Sequence, residues 1–246
     1  MRSACHALIL SALLLIPISA RLVGAEVAVR PAGKILFQPQ LLWSNSMTTL
    51  QGTGYLIEHG GKCFGVTAVN YLDFNAGGLG SATWLDVYSE RPVATFRSSL
   101  GRPMRTTFTR PGDTVDDFLL LPCNHPPEEG IPLQIENVPR YEPGTRLWFP
   151  NKSREVEIGH EWIDATVVED LGYLIKVRLQ DPISLQTQSG SPVLNADTGK
   201  VIGMVHDGEE LNGKLILTLC PARSLARHLG RRQVTVSLLS SIARRR

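Results

Sequence analysis

From Glu26 onward the apolar positions come in short β-branched or alternating runs separated by turn residues, rather than at helical spacing. Gly54-Tyr55-Leu56-Ile57-Glu58 and Phe64-Gly65-Val66-Thr67-Ala68-Val69 flank His59-Gly60-Gly61-Lys62, which predicts a hairpin. Lys200-Val201-Ile202-Gly203-Met204-Val205 predicts a further strand. Glu209 to Leu219 predicts two strands about Asn212-Gly213, the pair that most readily supplies the two positive φ angles of a type I′ turn. Turn signals recur at Asn75-Ala76-Gly77-Gly78, Arg110-Pro111-Gly112-Asp113, Glu142-Pro143-Gly144-Thr145 and Asp197-Thr198-Gly199-Lys200. The one predicted helix is Pro221 to Leu229, with Leu225 and Leu229 at helical spacing. This rhythm implies a sandwich or barrels.

Composition narrows the class. The 246 residues are 43% hydrophobic and 20% charged, enough for one or two packed domains and against a disordered chain. With 22 Gly and 16 Pro spread along the sequence, a helical bundle or coiled coil is excluded. Five of the prolines fall between Pro126 and Pro143, the expected connection between two halves. There is no repeat of fixed period and no low-complexity linker.

Residues 1–25 carry Arg2, the uncharged run Ala7 to Ile18 and Val23-Gly24-Ala25, the three regions of a signal peptide. The apolar run of 12 residues is too short for a spanning helix, which needs about 20. The expectation is cleavage after Ala25, a secreted or periplasmic protein and no stable membrane anchor. The remaining chain holds 23 Lys+Arg against 23 Asp+Glu, a balance that does not suggest a nucleic-acid surface, and Arg244-Arg245-Arg246 reads as a solvated tail. Three cysteines remain, Cys63, Cys123 and Cys220, so at most one internal disulfide can form. Cys63 and Cys220 sit in apolar runs that favour buried thiols. Cys123-Asn124-His125 has no second ligand pair, and no metal or cofactor is expected.

Three segments in order resemble the chymotrypsin or trypsin-like serine peptidases. Gly52-Thr53-Gly54-Tyr55-Leu56-Ile57 with Val66-Thr67-Ala68-Val69-Asn70 is similar to that family's first hairpin and the segment ending in its catalytic His. Asp117-Phe118-Leu119-Leu120-Leu121 resembles the strand that carries the triad acid. Gln188-Ser189-Gly190-Ser191-Pro192-Val193 with Gly199-Lys200-Val201-Ile202-Gly203-Met204-Val205 resembles the nucleophile loop and the strand beyond it. The implied fold is all-β, two six-stranded antiparallel β-barrels with a short C-terminal helix and an active cleft between the barrels. The implied division is an N-terminal barrel over 26–135, a C-terminal barrel over 136–220, and a helix and basic tail over 221–246.

In that family a Ser attacks, a His takes its proton, an Asp orients the His, and backbone N–H groups hold the oxyanion. Ser189 matches the nucleophile and Asp117 the acid, but Asn70 stands at the His position. A carboxamide nitrogen has no useful basicity near neutral pH. Thr187 occupies the position of a Gly that donates to the oxyanion from a conformation costly for a β-branched side chain. Gln188 replaces the Asp that pairs with a freed N-terminus in zymogen-activated members, so that activation is not expected. Taken singly, Ser-Gly-Ser is a turn, an Asp before an apolar strand is a cap, and an Asn after one is a turn residue.

The resemblance therefore implies a secreted peptidase homologue with impaired catalysis, whose cleft takes an extended peptide or protein ligand by strand addition. The alternative is an active endopeptidase using Ser189 with a relocated base. His59 lies in the hairpin turn, too far from the site to serve. His206 replaces a Ser that, in the family, contacts the triad Asp; it either fills space beside Asp117 or reaches Ser189 as the base. Ile183 matches the base of the family's primary specificity pocket and implies an apolar preference. A barrel with no ligand is the third reading, and would lack an open cleft.

Overall fold

The protein is described from a computed structural model covering residues 28–68, 79–96, 117–123 and 127–230. The expected signal segment 1–25, Asn70, and the turns at 75–78 and 110–113 lie outside the described residues.

Fourteen strands and one helix make up the described chain. In the first half β1 (Phe37–Trp43), β2 (Thr48–Leu50), β3 (Gly54–His59), β4 (Lys62–Ala68), β5 (Leu79–Asp86), β6 (Pro92–Phe96), β7 (Phe118–Cys123) and β8 (Leu133–Gln134) form one sheet. Its six-strand path runs β6-β5-β1-β3-β4-β7, with the short β2 and β8 attached to β1 and β3. The end strands β6 and β7 also approach each other. In the second half β9 (Arg146–Lys152), β10 (His160–Asp170), β11 (Ile175–Leu179), β12 (Pro192–Asn195), β13 (Val201–Leu211) and β14 (Lys214–Pro221) close into a six-stranded barrel in the order β10-β11-β14-β13-β12-β9. The fold is all-β, as expected, with the second half a closed six-stranded barrel and the first half one eight-stranded sheet.

Local chemistry explains the turns. Gly60 and Gly61 have φ of 59° and 70°, and Asn212 and Gly213 have 53° and 70°, so both hairpins use paired left-handed residues. Two boundaries differ from expectation. The run from Val201 to Leu211 is one strand with a register shift between Val205 and Asp207, rather than two strands. Pro221 ends β14, opposite Gly203, and α1 spans 222–230. Proline at a strand end forfeits no interior ladder bond. Within the proline-rich connection, Leu133–Gln134 adds to β3 in parallel.

Three apolar clusters organise the halves. Phe37, Leu41, Leu56, Trp84, Phe96 and Leu121 fill the first half, and Leu147, Phe149, Val177, Ile202 and Leu217 fill the barrel. Between them lies a cluster shared by both: Tyr55, Val66 and Leu120 from the first half meet Leu194, Met204 and Cys220 from the second, with Leu225 and Leu229 of α1. This shared core fixes the starts of β3 and β7 against β13. Phe118 packs edge-on against His228 of α1, ring centroids 5.8 Å apart, at the residue after Asp117.

Candidate functional site

The loop from 180 to 191 joins β11 to β12 and carries Ser189. It is anchored on both sides. The Gly190 N–H donates to Val205 O at 2.9 Å and the Val205 N–H to Ser191 O at 2.8 Å, while the Thr53 N–H donates to Ser189 O at 2.8 Å. Gly190 is required by contact as well as by dihedral: its φ is 93°, and a Cβ there would stand 2.1 Å from Thr53 O.

Thr187 adopts φ of 68°, the left-handed conformation expected to be costly for it, and does not avoid it. Its carbonyl accepts the Thr53 hydroxyl at 2.7 Å, and Thr53 O in turn accepts the Thr67 hydroxyl at 2.7 Å. Thr53 and Thr67 are both fully buried, so a column of threonines from β4 through Thr53 holds the strained peptide. Among the described residues the Thr187 N–H has no acceptor. Gln188 is buried at 4% exposure, donating to Asn151 Oδ1 at 2.8 Å and accepting from Ser191 Oγ at 3.3 Å. A neutral amide network thus occupies the position where the resemblance implies an acid.

Asp117, 1% exposed, lies just before β7. His206 is on β13, and its Nδ1 lies 2.5 Å from Asp117 Oδ2. The ladder supplies the reason. Val205 pairs with Leu219 and Asp207 with Thr218, so His206 is the extra residue of a β-bulge, a device that re-aims one side chain. The Ser189 hydroxyl donates to the His206 main-chain carbonyl at 3.2 Å. Asp117, Ser189 and His206 are therefore joined through one residue, with Asn70 outside the described set. Ile183 is partly buried against the barrel core.

The sequence reading did not single out Thr53, Thr67, Asn151 or Lys152. Lys152, at the end of β9, donates to Gly52 O at 2.7 Å and to Gln38 Oε1 at 3.0 Å across the two halves. Burial, with Arg154 nearby, lowers its ammonium to about 8. The available signal was polar residues closing or interrupting buried runs: Thr53 before β3, Thr67 in β4, and Asn151-Lys152 after Leu147-Trp148-Phe149. Among the described residues no group of three or more His, Cys, Asp or Glu is placed to hold a metal ion, and no helix is long and apolar enough to cross a membrane.

The fold matches solved serine-peptidase-like structures. Kallikrein-related peptidase 10 aligns with a TM-score of 0.54 and 14% identity over 81% of this chain and 96% of its own. Neuropsin, a serine protease expressed in the limbic system of mouse brain, aligns with 0.54 and 13% over 84% and 97%. A mutant of human heparin-binding protein aligns with 0.54 and 15% over 86% and 94%. No protein-family model and no curated protein matches the sequence.

Proposed function

We propose that the chain is a secreted or periplasmic homologue of the trypsin-like serine peptidases with impaired catalysis, whose inter-barrel cleft binds an extended peptide or protein segment by strand addition. The observation that carries this reading is the fate of the Ser189 proton. The hydroxyl donates to the His206 carbonyl at 3.2 Å, and an amide oxygen cannot take up that proton as a general base near neutral pH. Asn70 is no substitute at the family's base position. Asp117, which would orient a base, is engaged by His206 Nδ1 instead. What remains is a scaffold whose loop is held by neutral hydrogen bonds donated by Thr53 and Ser191 and by one from Gln188 to Asn151. A peptide needs only that scaffold, and Ile183 favours an apolar side chain. Labelling of the mature protein with a fluorophosphonate probe tests the reading. No labelling is expected; labelling that disappears in Ser189→Ala overturns it.

The Asp117–His206 pair supports a second reading, an endopeptidase with a relocated base. A carboxylate that accepts the Nδ1 proton leaves the neutral ring's lone pair on Nε2. Ser189 would then have to leave the carbonyl and meet Nε2. Hydrolysis of a peptide ester lost in both Ser189→Ala and His206→Gln would establish this reading over the first.

A further inference from the structure

The β4–β7 ladder places Cys63 directly opposite Cys123, and Ala68 opposite Phe118 at the other end. Facing residues of an antiparallel pair have Cα atoms about 4.5–5.5 Å apart, inside the roughly 4.4–6.8 Å that a disulfide spans. Both side chains leave the sheet on the same face, and the two thiols are in hydrogen-bonding contact. Neither is in a disulfide in this structure. Cys63 is 7% exposed, while Cys123 is only partly buried and open to a reagent. Cys220, 1% exposed, packs in the cluster between the halves, away from the cluster that holds the other two.

We propose that Cys63 and Cys123 form a disulfide that staples the β4–β7 pair at the end remote from the candidate site. The loop it closes contains Asn70 and Asp117, so both positions become covalently tied to one strand pair. Burial, reinforced by Cys123, pushes the Cys63 thiol up to about 12. Cys63 is therefore a poor first nucleophile. Cys123 attacks a small disulfide of the oxidised-glutathione class, forming a mixed disulfide and expelling one thiolate. The Cys63 sulfur then attacks the Cys123 sulfur and expels the second. Two protein thiols lose two electrons to become one disulfide, one reagent disulfide becomes two thiols, and the two protons pass to the released thiolates. The expected signal segment would deliver the chain to a compartment that sustains this oxidation. The proposal is independent of whether the cleft binds peptide.

The test is incubation of the folded mature chain with oxidised glutathione, alkylation in denaturant, and non-reducing peptide mass analysis. The expected result is a Cys63–Cys123 linked peptide pair with Cys220 alkylated, and a Tm about 5 °C or more above that of the reduced chain. Cys63→Ser should abolish the link and trap glutathione on Cys123. If that variant does not fold, the linked wild-type pair decides alone. Wild-type Cys63 and Cys123 both alkylated after oxidation, a link to Cys220, or a lasting glutathione adduct on Cys123 with Cys63 free would each overturn the proposal.

Discussion

His206 grips Asp117 from a bulge on a strand of the second barrel, Nδ1 to Oδ2 2.5 Å, across 89 residues of sequence. The carboxylate is 2% exposed and the imidazole 15%. Removing the ring takes one hydrogen bond from a buried acid, a bond to a charged group that contributes about 1.5–3 kcal/mol. His206→Ala should lower stability by that amount in urea unfolding, and the loss should shrink when Asp117→Asn is added, since the charge that needed the ring is gone.

Under the proposed function, an imidazole introduced at position 70 meets an acid already engaged by His206. Asn70→His alone should therefore give little hydrolysis of a peptide ester. Paired with His206→Ser it should exceed the sum of the singles, because Asp117 then becomes available to orient the new imidazole. Equal rates in the single and double variants would count against the competition.

Thr187 at φ of 68° stores backbone strain that glycine would not. Thr187→Gly should raise stability by about 0.5–1 kcal/mol, the left-handed penalty of about 1–2 kcal/mol less the entropy glycine loses. The Thr53 hydroxyl is a neutral clamp on the same peptide. Thr53→Val should cost about 1–2 kcal/mol in the Thr187 background and less in Thr187→Gly, and chemical denaturation of the four proteins measures the coupling.

Gly190→Ala is the harshest single change near Ser189. A methyl would sit 2.1 Å from Thr53 O, a backbone atom pinned by the Thr67 hydroxyl. The loop must move or the chain must unfold, a loss of about 3 kcal/mol or more. Thermal unfolding should show a large drop in Tm, and an unchanged Tm would contradict the packing.

Two bases with lowered pKa, buried His160 and partly buried Lys152, tilt stability the same way in different pH windows. Burial holds the His160 imidazole below 6.5, only partly offset by its bond to Ile158 O. The unfolded chain therefore takes up a proton near 6.5 that the fold resists, and stability falls as pH drops below that value. His160 Nε2 has no partner among the described residues, so His160→Phe should remove this slope at little cost at pH 7. Lys152, lowered to about 8 from 10.5, gives a stability that rises with pH between those values. Lys152→Met should flatten Tm against pH there.

The legible part of this protein was local. Period-two runs marked β3, β4 and β14, and Gly60-Gly61 and Asn212-Gly213 announced their hairpins, because strand faces and left-handed turns depend on a few adjacent residues. The order of the segments around Thr53, Asp117 and Ser189 already implied the barrels. Tertiary structure decided the rest. Nothing within the segment Met204-Val205-His206-Asp207 indicates that His206 is the extra residue of a bulge, since the bulge exists only against Leu219 and Thr218 of β14. Gln188 meeting Asn151, Thr53 meeting Thr187 and Cys63 facing Cys123 likewise join positions 37, 134 and 60 residues apart. Such contacts follow from register and barrel closure, which sum many weak pairings over the whole chain rather than expressing the chemistry of any one stretch.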